Sequence, residues 1–167
     1  MKDSVSFFFL SNCSFVVLKK IGTGHNIWYT GYRMEVRMEQ QYEQQYNYWI
    51  MRFMESWKNL DWKETLNLLA PDVQYYQNPI DDPCRSFDEV ADLWKEIEMT
   101  QKDIFYQYQI LCSNNELCMV HYQMERYYLP TKEKQKIDGI MQVSLDEKGL
   151  CNCLKQWQFM KSEPIKK

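Results

Sequence analysis

The sequence predicts an α+β fold: helices come first, an antiparallel meander follows, and the sheet curls around the helices. Three observations carry this. The C-terminal stretch from Ile137 to Trp157 reads as two strands joined by a short charged turn. Tyr42 to Trp57 places apolar residues at 42, 46, 49, 50, 53, 54 and 57, which is helical spacing. No internal repeat or low-complexity linker divides the chain between them.

The elements follow in order. The first helix covers Tyr42–Trp57. Asp61 caps a second, with Glu64 three residues on as a capping-box-like pair, and this helix ends before Pro71. Val73-Gln74-Tyr75-Tyr76-Gln77 reads as a short strand, and Asn78-Pro79-Ile80-Asp81-Asp82-Pro83 as a loop. Ser86-Phe87-Asp88-Glu89 opens a third helix with Val90, Leu93, Trp94 and Ile97 on one face. Strand-like runs then cover Asp103–Cys112, Leu117–Tyr128, Lys136–Leu145 and Leu150–Phe159. In the third run Met141, Val143 and Leu145 alternate with Gln142 and Ser144, the mark of one buried face. Asp146-Glu147-Lys148-Gly149 supplies the turn. Gly139 inside a strand signals a bulge or a close backbone approach.

Residues 1–37 differ from the rest. Ser6–Leu10 and Phe15–Leu18 are apolar runs broken by Ser11-Asn12-Cys13-Ser14. They lack a signal-peptide cleavage pattern and are too short and interrupted to span a membrane. Met34-Glu35-Val36-Arg37-Met38 can be encoded by codons containing GGAGG, a bacterial ribosome-binding sequence, just ahead of the Met38 codon. The expectation is that translation starts at Met38, that residues 38–162 form the domain, and that 163–167 are a tail. Residues 1–37, if translated, form a loose N-terminal arm.

The 167 residues suffice for one domain, and 45% hydrophobic with 16% aromatic content supplies a core. A net charge of −3 with no basic stripe argues against nucleic acid as the main partner. Six cysteines without CxxC spacing, and two distant histidines, His25 and His121, make a zinc site an unexpected feature. The cysteines read as reduced thiols of a cytoplasmic protein. No metal, cofactor or membrane contact is expected.

The Trp49–Trp57 helix, Asp61-Trp62, Val73-Gln74-Tyr75-Tyr76-Gln77-Asn78-Pro79, Leu93-Trp94, and Asp138-Gly139-Ile140 through Gly149-Leu150-Cys151 to Gln156-Trp157 resemble the SnoaL-like, nuclear-transport-factor-2-like superfamily, in particular one bacterial branch of it. The likeness covers roughly residues 42–160. It implies a cone: three helices in a strongly curved antiparallel sheet of about four to six strands, a pocket at the mouth, and pairing of two copies through the outer sheet face. It is specific for fold and weak for function, because this fold hosts enzymes, binding modules and assembly domains.

The ketosteroid isomerases of this superfamily use an aspartate base with a tyrosine and a protonated aspartic acid as oxyanion hole. On this sequence the tyrosine falls on Phe53, the base on Asn78 before Pro79, and the second acid on Met141. Phe53 has no donor, Asn78 accepts no proton near neutral pH, and Met141 cannot hydrogen-bond an oxyanion, so that chemistry is not expected. Phe53, Trp57, Tyr76, Asn78, Met141 and Trp157 are the expected ligand-binding residues. Asn78 has a second reading, as the turn residue before Pro79, and the aromatic residues have one as filling for the cone and the dimer face.

His121 is the catalytic candidate, with Glu125 or Asp138 to orient it. It shares a strand parity with Met119, Gln123 and Glu125, while Cys118, Val120, Tyr122 and Met124 form the apolar set. A structural or dimer-face role is the plainer reading. Asp138 lies opposite in parity to Gly139, Met141 and Val143, pointing away from the apolar interior unless a bulge reverses it. Asp81 and Asp82 read as a solvated loop. The sequence therefore points to a homodimeric pocket protein for a small, largely apolar ligand. The alternatives are a lyase, isomerase or hydrolase acting on a polyketide- or steroid-like substrate, and an assembly domain with a filled cone.

Overall fold

The structure is a computed structural model that describes residues 5–10, 14–19 and 31–164, with side chains from residue 40 onward. The chain divides into two compact units, residues 1–38 and residues 39–167. In the first, β1 (Val5–Leu10) and β2 (Ser14–Lys19) pair antiparallel as a hairpin. Cys13 and His25 lie outside the described residues.

Helix α1 runs Gly31–Asn59, longer than the periodicity indicated. Asp61 caps α2 (Trp62–Asn67), its carboxylate accepting from the Glu64 amide at 3.0 Å. The reciprocal half of the capping box does not form, because the Glu64 carboxylate is taken by Arg52 of α1. Strand β3 (Leu69–Tyr76) begins before the expected Val73. Leu69 already pairs with Cys151, and the register then shifts before Gln74, so Pro71 sits where the ladder is interrupted and no N–H is needed. Ser86 caps α3 (Phe87–Thr100) by accepting from the Glu89 amide at 3.2 Å, while Glu89 accepts from the Arg85 amide at 2.6 Å.

Strands β4 (Gln101–Ser113), β5 (Cys118–Tyr128), β6 (Glu133–Leu145) and β7 (Cys151–Pro164) complete a five-stranded sheet of order β3-β7-β6-β5-β4. The expectation of a purely antiparallel sheet is corrected: β3 runs parallel to β7, so the sheet is mixed. Local signals could not show this pairing, since α3 and three strands separate its partners. β7 runs to Pro164, through part of the stretch expected as a tail. Gly149 takes φ +79° in the β6–β7 turn, where its amide donates to the Asp146 carbonyl at 3.0 Å.

One buried cluster joins α1 (Trp49, Phe53, Trp57), α3 (Val90, Trp94) and the inner sheet face (Val120, Tyr122, Met141, Val143, Leu154). Alternation along β5 buries Cys118, Val120, Tyr122 and Met124 there and turns Met119, His121, Gln123 and Glu125 to the other face. Gly139 pairs in unbroken register with Tyr122 and Gln158, so of its two readings the structure has the close approach and not the bulge.

Cysteine accessibility follows from these positions. Cys112 is exposed, whereas Cys118 and Cys151 are buried, and burial pushes the Cys118 thiol up to about 12. A maleimide applied to the native protein is expected to label Cys112 and spare Cys118 and Cys151 until denaturant is added, with peptide mass mapping as readout.

Candidate functional site

Two recesses matter, one on each face of the sheet. On the core side, residues of α1, α3, β3, β4, β5 and β7 line a part-open recess of about 220 Å³. Its apolar wall includes Trp57, Leu93 and Ile97, and its polar lining includes Gln101, Arg126 and Gln156. The Trp57 indole N–H donates to the Gln101 side-chain carbonyl at 3.2 Å. Gln101 and Gln156 are both buried, and the Gln156 side-chain nitrogen has no hydrogen-bond partner among the described residues. Strand parity explains the set. Arg126 continues the inward row Tyr122, Met124 of β5, and Gln156 follows Leu154 on the inward row of β7.

Arg126 is held by neutral groups. Its Nε donates to the Gln135 side-chain carbonyl at 2.8 Å, directly across the β5–β6 register, and its guanidinium stands 5.9 Å from the Tyr128 ring centre. Burial pushes this guanidinium down from its usual value. Burial likewise raises the phenols of Tyr75 and Tyr122. Among residues lining this recess, Glu96 of α3 is the one carboxylate, and it is exposed.

On the second face, a trough of about 620 Å³ runs over β4–β7. It is larger than the core-side recess, but it is open: Phe105 is 69% and Phe159 84% exposed along it. Cross-strand register lines up Gln107, Gln123, Asp138 and Phe159 in one row. The Gln107 amide donates to Gln123, and Gln123 donates to Asp138 at 2.7 Å. His121, one row along, stands 2.8 Å from the other Asp138 oxygen through Nε2. Asp138 is held below the usual carboxylate range, first by the Gln123 hydrogen bond and then by His121.

The residues expected from sequence to bind a ligand do not assemble into one site. Trp57 lines the core-side recess. Phe53 and Met141 are fully buried within the aromatic core, because their inward parity leads into space that Trp49, Trp57 and Trp94 occupy. Asn78 is exposed, and its side chain accepts from the Ile80 amide at 3.2 Å, which is the turn reading. The Tyr76 hydroxyl donates to Gln74 at 3.3 Å, and its ring lies 4.9 Å from the Lys155 ammonium. Trp157 lies on the second face in the row of His121 and Ile140. His121 is in hydrogen-bond contact with Asp138, and both lie away from the core-side recess. Gln101 and Arg126 do not figure in the sequence reading, and Gln156 enters it only within the Gln156-Trp157 likeness, not as a site residue. Their signal was polar character at inward positions of amphipathic strands.

No protein-family model and no curated protein matches the sequence. Solved structures do match in fold. The epoxide hydrolase/cyclase-like enzyme SalBIII, described in pyran ring formation in polyether salinomycin, is 8% identical with a TM-score of 0.65, covering 72% of this chain and 98% of its own. A putative polyketide cyclase from Silicibacter sp. is 17% identical with a TM-score of 0.62, covering 70% and 90%. An NTF2-like protein from Burkholderia xenovorans is 14% identical with a TM-score of 0.57, covering 70% and 90%. At these identities the likeness is one of fold.

Proposed function

We propose that this chain, whose fold is that of the SnoaL-like, nuclear-transport-factor-2-like proteins, binds a small molecule in the recess between Trp57 and Arg126. The observation that carries the reading is the partnerless buried amide of Gln156 in the lining of the recess. Packed interiors satisfy the large majority of such groups; among the described residues the other exception is the Trp94 indole N–H in the aromatic core, which unlike Gln156 does not line the recess. A mixed wall of aromatic, aliphatic and amide groups is the usual make-up of a small-molecule site. On this reading the sheet is the curved wall of a cone. The register shifts in β4, between Lys102 and Phe105 and between Ile110 and Cys112, supply bends. The lining supports an amphipathic ligand rather than a largely apolar one. That similar structures include a cyclase-like enzyme and a putative polyketide cyclase supports a small organic molecule as occupant.

The test is a small-fragment screen followed by indole N–H resonances in nitrogen-15-labelled protein. Binding at the recess is expected to move the Trp57 resonance, whose N–H reaches into it, and to leave the Trp157 resonance in place. A screen whose hits all shift Trp157 instead would relocate ligand binding to the second face.

We propose further that two copies pair through the second face, where Phe105, Trp157 and Phe159 are exposed. Sedimentation is expected to give a dimer for the wild type and a monomer for Phe159→Lys, since a charge desolvated in an interface is costly. An enzymatic reading is favoured by one observation, the 2.8 Å His121–Asp138 contact, in which Asp138 could orient the ring as a base. It places the chemistry on the second face, so turnover lost in His121→Ala but intact in Arg126→Gln would select it over the recess.

A further inference from the structure

We infer that the core-side recess holds a compact monocarboxylic acid, with Arg126 as the counter-ion of its anionic head and the free amide of Gln156 elsewhere in the same lining. The inference rests on the reading of that recess as a ligand site.

Arg126 is a cation without an anion. Among the described residues no Asp or Glu oxygen comes within 4.0 Å of it. Its polar contacts are the Gln135 carbonyl at 2.8 Å and, through Nη2, the Met160 sulfur at 3.8 Å. Thioether sulfur is a weak acceptor, so much of the donor fork remains available. Arginine does not escape a desolvated position by losing its proton. A partly buried guanidinium with only neutral partners is therefore an incomplete arrangement, and an anion completes it.

Gln156 supplies the second, independent observation. It is 3% exposed, lines the same recess, and its amide nitrogen lacks an acceptor. Carboxylate matches the guanidinium fork, with two coplanar oxygens for its paired donors, while Gln156, whose β6 partner Met141 lies well along the strand from the Gln135 opposite Arg126, offers its amide to another polar group of the same ligand. The remaining lining sets the rest of the ligand. Trp57, Leu93 and Ile97 offer an apolar wall for its body. A volume of about 220 Å³ falls below the ~300 Å³ at which pockets for drug-sized ligands begin, so that body is compact. Glu96 is the one acid in the lining, and it disfavours a second negative charge. That argues for a monocarboxylate over a dicarboxylate or a phosphate dianion.

The experiment is calorimetric titration of the full chain with four acids: benzoate, phenylacetate, cyclohexanecarboxylate and hexanoate. Each is compared with its primary amide, which keeps the shape and removes the charge. At least one acid is expected to bind at least tenfold more tightly than its amide, the scale of a hydrogen bond to a charged group. Arg126→Gln is expected to abolish that preference, and Arg126→Lys to keep a reduced one, because the charge remains and the fork is lost. Glu96→Gln is expected to tighten acid binding. Circular dichroism melting checks that each variant folds, and should Arg126→Gln fail to fold, the wild-type acid and amide comparison decides alone. Equal binding of acids and amides overturns the inference and leaves the recess standing as a ligand site. A preference for acids that survives in folded Arg126→Gln also overturns it. No binding by any of the eight compounds overturns both.

Discussion

Replacing Gly139 with alanine is expected to destabilise the fold by at least about 2 kcal/mol, seen as a melting temperature lower by roughly 6 °C or more. A Cβ built on Gly139 meets the Tyr122 ring at 2.7 Å and the Trp157 carbonyl oxygen at 2.8 Å. Both are well inside ordinary contact. The Tyr122 ring is fully buried and lies 6.3 Å from the Trp57 ring between centres, so it moves only by disturbing its neighbours. The carbonyl belongs to the neighbouring strand, paired with β6 from Glu133 to Leu145. Relief therefore requires β6 and β7 to part locally, or the ring to leave its rotamer, and either is costly. A melting curve unchanged in Gly139→Ala would contradict the packing of Tyr122 over the centre of the sheet.

The largest single truncation effect is expected at Phe53. Phe53→Ala should cost about 3–5 kcal/mol in denaturant unfolding, the range for large buried aromatics. Phe53 stacks on Trp49 at 5.0 Å between ring centres and meets Trp94 edge-on at 5.7 Å and Trp57 at 6.0 Å. Its removal leaves a cavity bounded by three rigid indoles, which collapse poorly onto it. Phe53→Leu keeps most of the volume and should lose about 1–1.5 kcal/mol. Trp157→Ala, on the partly exposed second face, is the comparison and should have a much smaller effect on the protein at dilutions where it is monomeric. Equal losses at Phe53 and Trp157 would contradict the division of the sheet into a core face and an open face.

Much of this architecture could be read in the sequence because it depends on short-range rules. Ser86 and Asp61 mark helix starts through one side-chain oxygen each, and alternation from Met141 to Leu145 marks a half-buried strand. The parity of β5 placed His121 and Glu125 opposite Val120 and Tyr122, as the structure has them. What was not legible depends on distant partners. The parallel pairing of β3 with β7 joins residues far apart in the chain, and Leu69 becomes a strand residue only because Cys151 lies beside it. Inward parity also fails to distinguish a pocket wall from a packed core. Phe53 and Met141 point inward as expected and end in a filled interior, whereas Arg126 and Gln156 point inward and reach open space. The difference lies in the volumes of neighbouring side chains on other elements, which no local pattern contains. Among the described residues no helix is long and apolar enough to cross a membrane.

Native mass spectrometry of protein purified under gentle conditions, wild type beside Ile97→Trp, in which the new indole fills the recess, decides whether the recess between Trp57 and Arg126 is a ligand site. One small molecule is expected to be retained per wild-type chain and none in a folded Ile97→Trp. A ligand retained equally by both proteins, or no ligand in wild type across growth conditions, would contradict a ligand site there.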